Sequence, residues 1–349
     1  MKTVPVSSLA VTTAVRRSML TTQLELVTAQ KEFATGRLSD PGLILGSRTG
    51  QTVSLRQEHA RLSTFIDTNA LAGARLDATQ VELGGIREVA EEFFGALISA
   101  PDGPTGALTL RQQATEGFKG LIASLNAAMG GQQLFGGING DAPPVADYFA
   151  APAATSKQAV DDAFLAAFGM SQADPGVAAI GAAEMQAFLD GGFAAMFDDA
   201  QWSANWSAAS SQTMHSRISA TDVAETSVSA NEQGLRKLAM AYTMVVDLGA
   251  EGLNESAFAV VTETAAQLVA EGVREITSVQ GRVGVAQARI EQVNERMSLQ
   301  IDILSSEITG LENVDPLEAA TRVMDLMTRL EAGYALTARI QRLSLLNFL

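Results

Sequence analysis

Hydrophobic residues recur at helical spacing near both ends of the chain, whereas the middle lacks sustained periodicity. In the first segment, Met19, Leu26 and Phe33 repeat every seven residues, which predicts a helix over residues 6–34 with a narrow apolar face. Gly, Asp and Pro follow in TGRLSDPG, residues 35–42. This composition is expected to end the helix.

A longer stripe follows in residues 53–99, where apolar positions alternate steps of four and three from Leu55 to Leu83. The spacing predicts one long helix, which the segment APDGPTG, residues 100–106, should end. Residues 108–129 have a further helical pattern, and the glycines of GGQQLFGG then indicate a turn.

The C-terminal third reverses this order. Spacing of three and four from Ile276 onward predicts a long helix over residues 255–310, and ENVDP, residues 312–316, interrupts it. Pro316 is well placed as the first residue of a final helix. Because each narrow apolar stripe needs a partner, we expect N-terminal helices to pair with C-terminal ones. The predicted fold is mainly α, a long antiparallel coiled-coil-like helical bundle formed by the N- and C-terminal regions.

The middle of the chain differs in composition. Residues 139–212 are rich in Ala, Gly and Phe and contain four prolines, with short helices predicted at 157–168 and 182–188. Residues 217–232 mix Ile, Val and Thr with polar residues and predict a hairpin. The predicted organisation has three parts: terminal helices (1–42 with 312–349), a helical rod domain (43–138 with 213–311), and a separate central insertion domain (139–212).

Composition narrows the possible functions. The formal charge of −15 disfavours nucleic acid as a partner, because a phosphate-binding surface would work against the field of the whole molecule. The chain has no cysteine, which excludes a disulfide framework, a thiolate metal site and a cysteine nucleophile. Arg16 and Arg17 interrupt the N-terminal apolar runs, so we expect no cleaved signal peptide, and no apolar window predicts a membrane-spanning helix.

Candidate catalytic chemistry is sparse. His59 occupies an apolar seam position, where a packed polar residue is commoner than a base, and the only other histidine is His215. The glycine-rich stretches lack phosphate-binding spacing, and adjacent acidic pairs such as Glu91 with Glu92 would diverge on a helix. We therefore expect no enzyme activity, no metal and no cofactor.

For three polar or aromatic residues, the sequence favours a structural role over ligand binding. Trp202 and Trp206 are spaced to share one helix face, and an aromatic packing anchor is favoured there over a ligand site. Asn69 interrupts an apolar seam, where a buried amide typically fixes helix register. The seam expected within one chain comprises Leu55, Leu62, Ile66, Asn69, Leu76, Leu83, Ile276, Val283, Ile290 and Met297.

The ends of the chain resemble the flagellin superfamily. The resemblance lies in ATGRLSDPG (34–42), the helix containing Asn69, QQLFGG (132–137) and the ending EAGYALTARIQRLSLLNFL. It covers residues 1–138 and 215–349. The final helix lacks the acidic, Asn- and Gln-rich pattern usual in filament flagellins, which favours the hook-associated members.

The resemblance implies a structural adaptor that joins the flagellar hook to the filament in an extracellular, homo-oligomeric ring or tube. It also implies export by the flagellar type III apparatus, an export chaperone, and contacts with other hook-associated proteins and flagellin, without a membrane or nucleic-acid partner. Filament flagellin, or a secreted coiled-coil type III effector or translocator, is the alternative.

The apolar ending LSLLNFL either docks on its own domain or waits for a neighbouring subunit. The resemblance favours the neighbour, since terminal helices of the superfamily form the inner layers of a tube. The residues expected to contact other subunits are Leu20, Leu24, Val27, Met327, Leu330, Tyr334, Ile340, Leu343, Leu346, Phe348 and Leu349.

Overall fold

Helices dominate the computed structural model, which describes residues 8–99 and 104–346, with only the backbone described at 8–9, 104 and 341–346. In chain order the helices are α1 (Ser8–Thr35), α2 (Pro41–Leu45), α3 (Thr49–Ser99), α4 (Pro104–Leu125), α5 (Thr155–Phe168), α6 (Ala182–Phe188), α7 (Asp199–Asn205), α8 (Gln233–Asp247), α9 (Glu255–Glu312) and α10 (Pro316–Leu346). The strands are β1 (Ala128–Met129), β2 (Gln132–Gln133), β3 (His215–Arg217) and β4 (Val223–Glu225). The prediction of a mainly helical chain is confirmed.

Helix ends follow the chemistry of the two breaker segments. After α1, Gly36 adopts a φ of 67°, a left-handed conformation that glycine reaches without strain. The Asp40 carboxylate then accepts a hydrogen bond from the Leu43 amide and caps α2. At the second breaker, Asp315 accepts a hydrogen bond from the Leu317 amide at 2.8 Å, and Pro316 starts α10.

The long helices α3 and α9 pack antiparallel, as predicted. Gln80 Nε2 donates to the Gln280 carbonyl at 2.8 Å, and Asn69 Nδ2 donates to Asn294 Oδ1 at 2.7 Å, so rising numbers on one helix meet falling numbers on the other. Polar side chains thus set the alignment of a seam whose remaining contacts are mostly apolar.

Residues 139–212 pack against α4 and α8. Asn126, just after α4, exchanges two hydrogen bonds of 2.9 Å with the backbone of Val145, and Lys157 on α5 reaches Asp247 at the end of α8. The predicted short helices are present as α5 and α6. Helix α8 was not predicted, although Leu235, Leu238 and Tyr242 repeat at helical spacing and are buried.

Two small hairpins are present, and one differs from its prediction. β3 pairs antiparallel with β4 from His215 opposite Glu225 to Arg217 opposite Val223, so the ladder ends before residues 226–232, which were predicted as part of it. Beyond the ladder a serine side chain replaces a backbone acceptor: the Ser227 hydroxyl accepts a hydrogen bond from the Met214 amide at 2.7 Å. β1 and β2 join through Gly130 and Gly131, both with positive φ, a pattern typical of two-residue hairpin turns.

The chain divides into two compact units. Unit 1 comprises residues 1–63 and 297–349, and unit 2 comprises residues 64–296, which include the middle stretch. The three-part division drawn from composition stays a prediction.

Candidate assembly interface

Helices α1 and α10 of unit 1 pair antiparallel along a narrow seam. Gln23 Nε2 donates to the Tyr334 hydroxyl at 2.8 Å, and the Thr337 hydroxyl donates to the Met19 sulfur at 3.4 Å. Gly333 leaves room for Met19, since a methyl group built on this glycine would meet the Met19 side chain at 3.1 Å. Because the seam is lined by small residues on α10, the two helices approach closely but bury few large side chains.

Backbone hydrogen bonds join the two breaker segments at one end of this pair, and two buried carboxylates tie them to neighbouring helices. The Glu312 carboxylate accepts hydrogen bonds from the Arg56 guanidinium, and its backbone carbonyl accepts from the Leu38 amide at 2.8 Å. Glu32 accepts from the Ser39 amide at 3.1 Å and pairs with Arg322. We call Glu32, Glu312, Arg56 and Arg322 the carboxylate clamp.

The clamp shifts the titration of one of its carboxyls. The Arg56 hydrogen bonds lower the pKa of Glu312, outweighing the opposite effect of burial, and the charges of Arg56 and Arg37 lower it further. The same pair raises the pKa of Arg56. Both groups are thus charged at neutral pH, and the ion pair ties the end of α9 to α3 beside the joined breaker segments.

Away from the seam, α1 presents a second apolar stripe to solvent. Leu20, Leu24 and Val27 have 56%, 71% and 64% of their surface exposed and follow i, i+4, i+7 spacing. The stripe lies on a different side of the helix from Met19, Leu26 and buried Ala29. A helix that is apolar on two sides is typical of a helix with two partners.

Further exposed apolar residues lie elsewhere in unit 1. Tyr334 and Met327 are exposed on α10, together with Met324, which the sequence analysis did not select. Among the described side chains of unit 1, the other large exposed apolar residues are Val11, Phe33, Leu43, Ile44, Val53, Leu299, Ile303, Leu317 and Leu336. Patches of this kind mark interaction surfaces in folded proteins.

The residues predicted to contact other subunits fall into three groups. Exposed ones are Leu20, Leu24, Val27, Met327 and Tyr334; half-buried ones are Leu330 and Ile340, on the side of α10 that faces α1. Leu343 and Leu346 belong to α10 without described side chains, and Phe348 and Leu349 lie outside the described residues. The face of α10 that packs on α1 is offset by one residue from the stripe predicted from large apolar residues. The small residues Ala319, Gly333 and Thr337 therefore occupy positions on that face.

Most of the residues predicted for the seam within the chain are buried. Eight are buried, namely Leu62, Asn69, Leu76, Leu83, Ile276, Val283, Ile290 and Met297. Leu55 and Ile66 are half-buried. Asn69 donates to both Asn294 Oδ1 and the Ile218 carbonyl, at 2.7 and 2.9 Å, so this amide links α3 to α9 and to the residue after β3.

Titratable groups in unit 2 are engaged in structural contacts. Burial, and then Asp247, raises the pKa of Tyr148, whose hydroxyl donates to Asp247 at 2.6 Å. Asp222, beside the β3–β4 hairpin, accepts from Ser219 and Arg289, which lowers its pKa to about 2. These hydrogen bonds attach loops to helices. Tyr148, Asp247 and Asp222 are all engaged in them and form no free acid–base pair.

The remaining candidate residues have surroundings suited to packing. Trp202 and Trp206 stack with ring centroids 5.6 Å apart in a buried aromatic cluster, and the indole of Trp202 donates to Asn231 at 2.9 Å. His59 is half-buried, and the ring of exposed His215 lies 3.1 Å from the Thr213 carbonyl. Within residues 8–99 and 104–346 no group of three or more His, Asp or Glu is arranged to hold a metal ion.

Charge is divided unequally between the two units. Unit 1 contains 12 Lys and Arg and 11 Asp and Glu, a net charge of +1, whereas unit 2 contains 12 and 28, a net charge of −16. Packing copies through unit 1 therefore meets little electrostatic opposition, while packing through unit 2 is opposed by like charge. In the described part of the chain, no helix has both the length and the hydropathy needed to cross a membrane.

Comparisons with known proteins agree on the ends of the chain. The family model "Bacterial flagellin N-terminal helical region" matches residues 6–140, and "Bacterial flagellin C-terminal helical region" matches residues 266–349. A solved structure provisionally assigned as a flagellar hook-associated protein from Vibrio parahaemolyticus is similar in fold, with a TM-score of 0.53 and 8% identity over 76% of this chain and 97% of that one. A search of curated proteins finds no match.

Proposed function

The chain belongs to the flagellin superfamily, which gives it a structural role in an extracellular flagellar assembly, and from that premise we propose that it is a hook–filament junction protein. In this role it joins hook to filament as one subunit of a homo-oligomeric ring or tube. The apolar stripe Leu20, Leu24 and Val27 is the observation that supports the proposal most strongly, because its burial requires another subunit.

The energetics of the stripe favour assembly by many weak contacts. Full burial of each of these three side chains contributes about 1.5 to 3 kcal/mol, and part of this is offset by ordering the contacting side chains. The near-neutral charge of unit 1 adds no general repulsion. Repetition around a closed ring then turns modest pairwise affinities into a lasting joint.

The proposed partners follow from the same role. They are other copies of this chain, other hook-associated proteins and flagellin, with an export chaperone that covers the apolar termini before assembly. Export proceeds without a cleaved signal peptide. The protein acts without catalysis, since it works by contact alone.

Localisation on isolated flagella tests the assignment. Electron microscopy of the gold-labelled protein should show label at a single position, between hook and filament. Label along the whole filament would assign the chain as filament flagellin instead. Absence from flagella, with free protein in the medium, would favour a secreted effector or translocator.

A matched pair of variants tests the proposed interface. We expect Leu20→Ser to lower the fraction of hooks carrying the protein at least tenfold, since a loss of about 1.4 kcal/mol per contact is tenfold in affinity. Leu165→Ser, a control with a similar exposed fraction in unit 2 (51% against 56%), should leave that fraction unchanged. Equal effects of both variants would contradict an interface on α1, and removal of residues 343–349 should abolish incorporation.

A further inference from the structure

An open groove of about 810 Å³ lies in the middle stretch of unit 2, between α5, the turn Pro175–Ala179 and α6. Its floor contains Ile180 and Phe188, both buried, and its walls contain the exposed alanines Ala166, Ala167 and Ala187. Small side chains on the walls leave space above an apolar floor. The groove is therefore shaped to receive large apolar side chains from outside.

The stretch of sequence that forms the groove is acidic, and the charged residue in the groove lining is Glu184. Residues 158–216 contain no Lys or Arg, but they contain seven carboxylates: Asp161, Asp162, Asp174, Glu184, Asp190, Asp198 and Asp199. Lys157, the nearest preceding cation in sequence, is held by Asp161 and Asp247 at 2.9 and 2.8 Å. Glu184 lines the groove itself and is exposed. An occupant with positive charges around an apolar face is thus complementary to this surface.

A second copy of unit 2 has the wrong charge for this groove. Unit 2 has a net charge of −16, so bringing two such surfaces together is opposed by like-charge repulsion. We propose that the α5–α6 groove docks a cationic amphipathic helix of a partner protein, whose apolar face fills the groove while its Lys and Arg residues face Glu184 and the net negative charge of unit 2. This is the helix-in-groove mode of recognition, and it involves a surface distinct from the α1 stripe.

Peptide binding to the purified full-length chain tests the proposal. The probe is a fluorescein-labelled 14-residue peptide of Leu and Lys patterned as an amphipathic helix, and its counterpart has Glu at each Lys position. Fluorescence anisotropy should show saturable one-to-one binding of the Leu/Lys peptide, with affinity falling several-fold between low and physiological salt. The Leu/Glu peptide should bind at least tenfold more weakly.

Variants assign the binding to the groove. We expect Ala187→Trp, which fills the groove, to weaken binding at least tenfold, while Ala195→Trp, at an exposed alanine nearby but off the groove lining, leaves it unchanged. Glu184→Gln should weaken binding two- to fivefold. If Ala187→Trp does not fold by circular dichroism, Ala166→Lys supplies the same test by charge repulsion at an exposed helical site.

Each other outcome overturns the proposal. Equal loss in both tryptophan variants, or none in either, would mean that the peptide binds the acidic surface at large. Equal binding of both peptides would mean that charge does not select the occupant. Groove-dependent self-association, seen by sedimentation and removed by Ala187→Trp, would make a second copy the occupant.

Discussion

Unit 2 completes its own core, whereas unit 1 leaves much of its apolar surface in solvent. Among the described residues, unit 1 buries only six apolar side chains, Ala29, Leu45, Leu62, Met297, Ala319 and Leu326. Unit 2 buries a continuous aromatic cluster around Phe118, whose ring lies 5.1 Å from Tyr148 and 6.0 Å from Tyr242. The contrast indicates that unit 2 buries a core of its own, whereas unit 1 keeps apolar surface available for association.

The charges of the two units reinforce this difference. A net charge of −16 keeps unit 2 soluble and resists close approach of its own copies, while the +1 of unit 1 permits it. A single chain thereby combines a surface suited to packing with one suited to solvent. We expect the division to be visible when matched residues in the two units are changed.

The largest effect is expected from matched phenylalanines. Phe118→Ala in unit 2 should lower the free energy of unfolding by about 3 to 5 kcal/mol, because it opens a cavity in the aromatic cluster. Phe33→Ala in unit 1 should cost under about 1 kcal/mol, since 52% of that side chain is already exposed. Urea denaturation of the purified chain measures both, and similar losses would remove the distinction between the units.

A smaller effect is expected at the polar seam of unit 2. Asn69→Ala leaves the buried Ile218 carbonyl and the Asn294 Oδ1 atom without their donor, and we expect a loss of about 1 to 3 kcal/mol. Gln267→Ala, at an exposed position of α9, is the control and should change stability by less than about 0.5 kcal/mol. If Asn69→Ala is as mild as the control, the amide does not fix the alignment of α3 and α9.

The smallest effect is expected from acid at the carboxylate clamp of unit 1. Since the folded-state pKa of Glu312 lies below its ordinary value of 4.5, the clamp stabilises unit 1 above that pH and is lost as the pH falls through the folded value. Glu312→Gln should remove this dependence. Amide exchange of Leu38, whose N–H is bonded to the Glu312 carbonyl, reports it locally.

Two comparisons control the acid experiment. Asp325→Asn, in an exposed pair with Arg329, should leave Leu38 exchange unchanged at every pH. Asp222, whose pKa is lowered to about 2, should keep its bonds at the β3–β4 hairpin until the pH falls to that value. Loss of protection at Leu38 that is identical in wild type and Glu312→Gln would show that another group controls the clamp.

Periodicity and breakers predicted the helical parts of this fold well. The predicted 53–99 and 255–310 segments are α3 and α9, and their antiparallel pairing followed from the need to bury two narrow stripes. The prediction of the hairpin was wrong at its end, where a contact between residues distant in sequence decides the structure. The hairpin predicted to residue 232 ends at Glu225 because Ser227 bonds to the Met214 amide.

The candidate interface was only partly predictable for a related reason. Large residues at heptad spacing identify a stripe, but they do not say which side of a helix meets its intrachain partner. On α10, Thr337 and Gly333 face α1 because small residues let the helices approach, so half-buried Leu330 and Ile340 lie nearer the seam than their size suggested. Met324 was missed because it falls outside the selected spacing.

The sequence by itself determined the helix class, the positions of the breaks, the acidic middle and the apolar stripes, since each depends on residue type and spacing along one chain. Only the tertiary structure decided that Glu32 and Glu312 pair with Arg322 and Arg56, that Asn69 bonds to Ile218, and that α5 and α6 border a groove. These features depend on which distant residues meet, and that is set by packing of the whole chain. The spacing of apolar residues determines which face of a helix is apolar, and tertiary packing determines which element that face contacts.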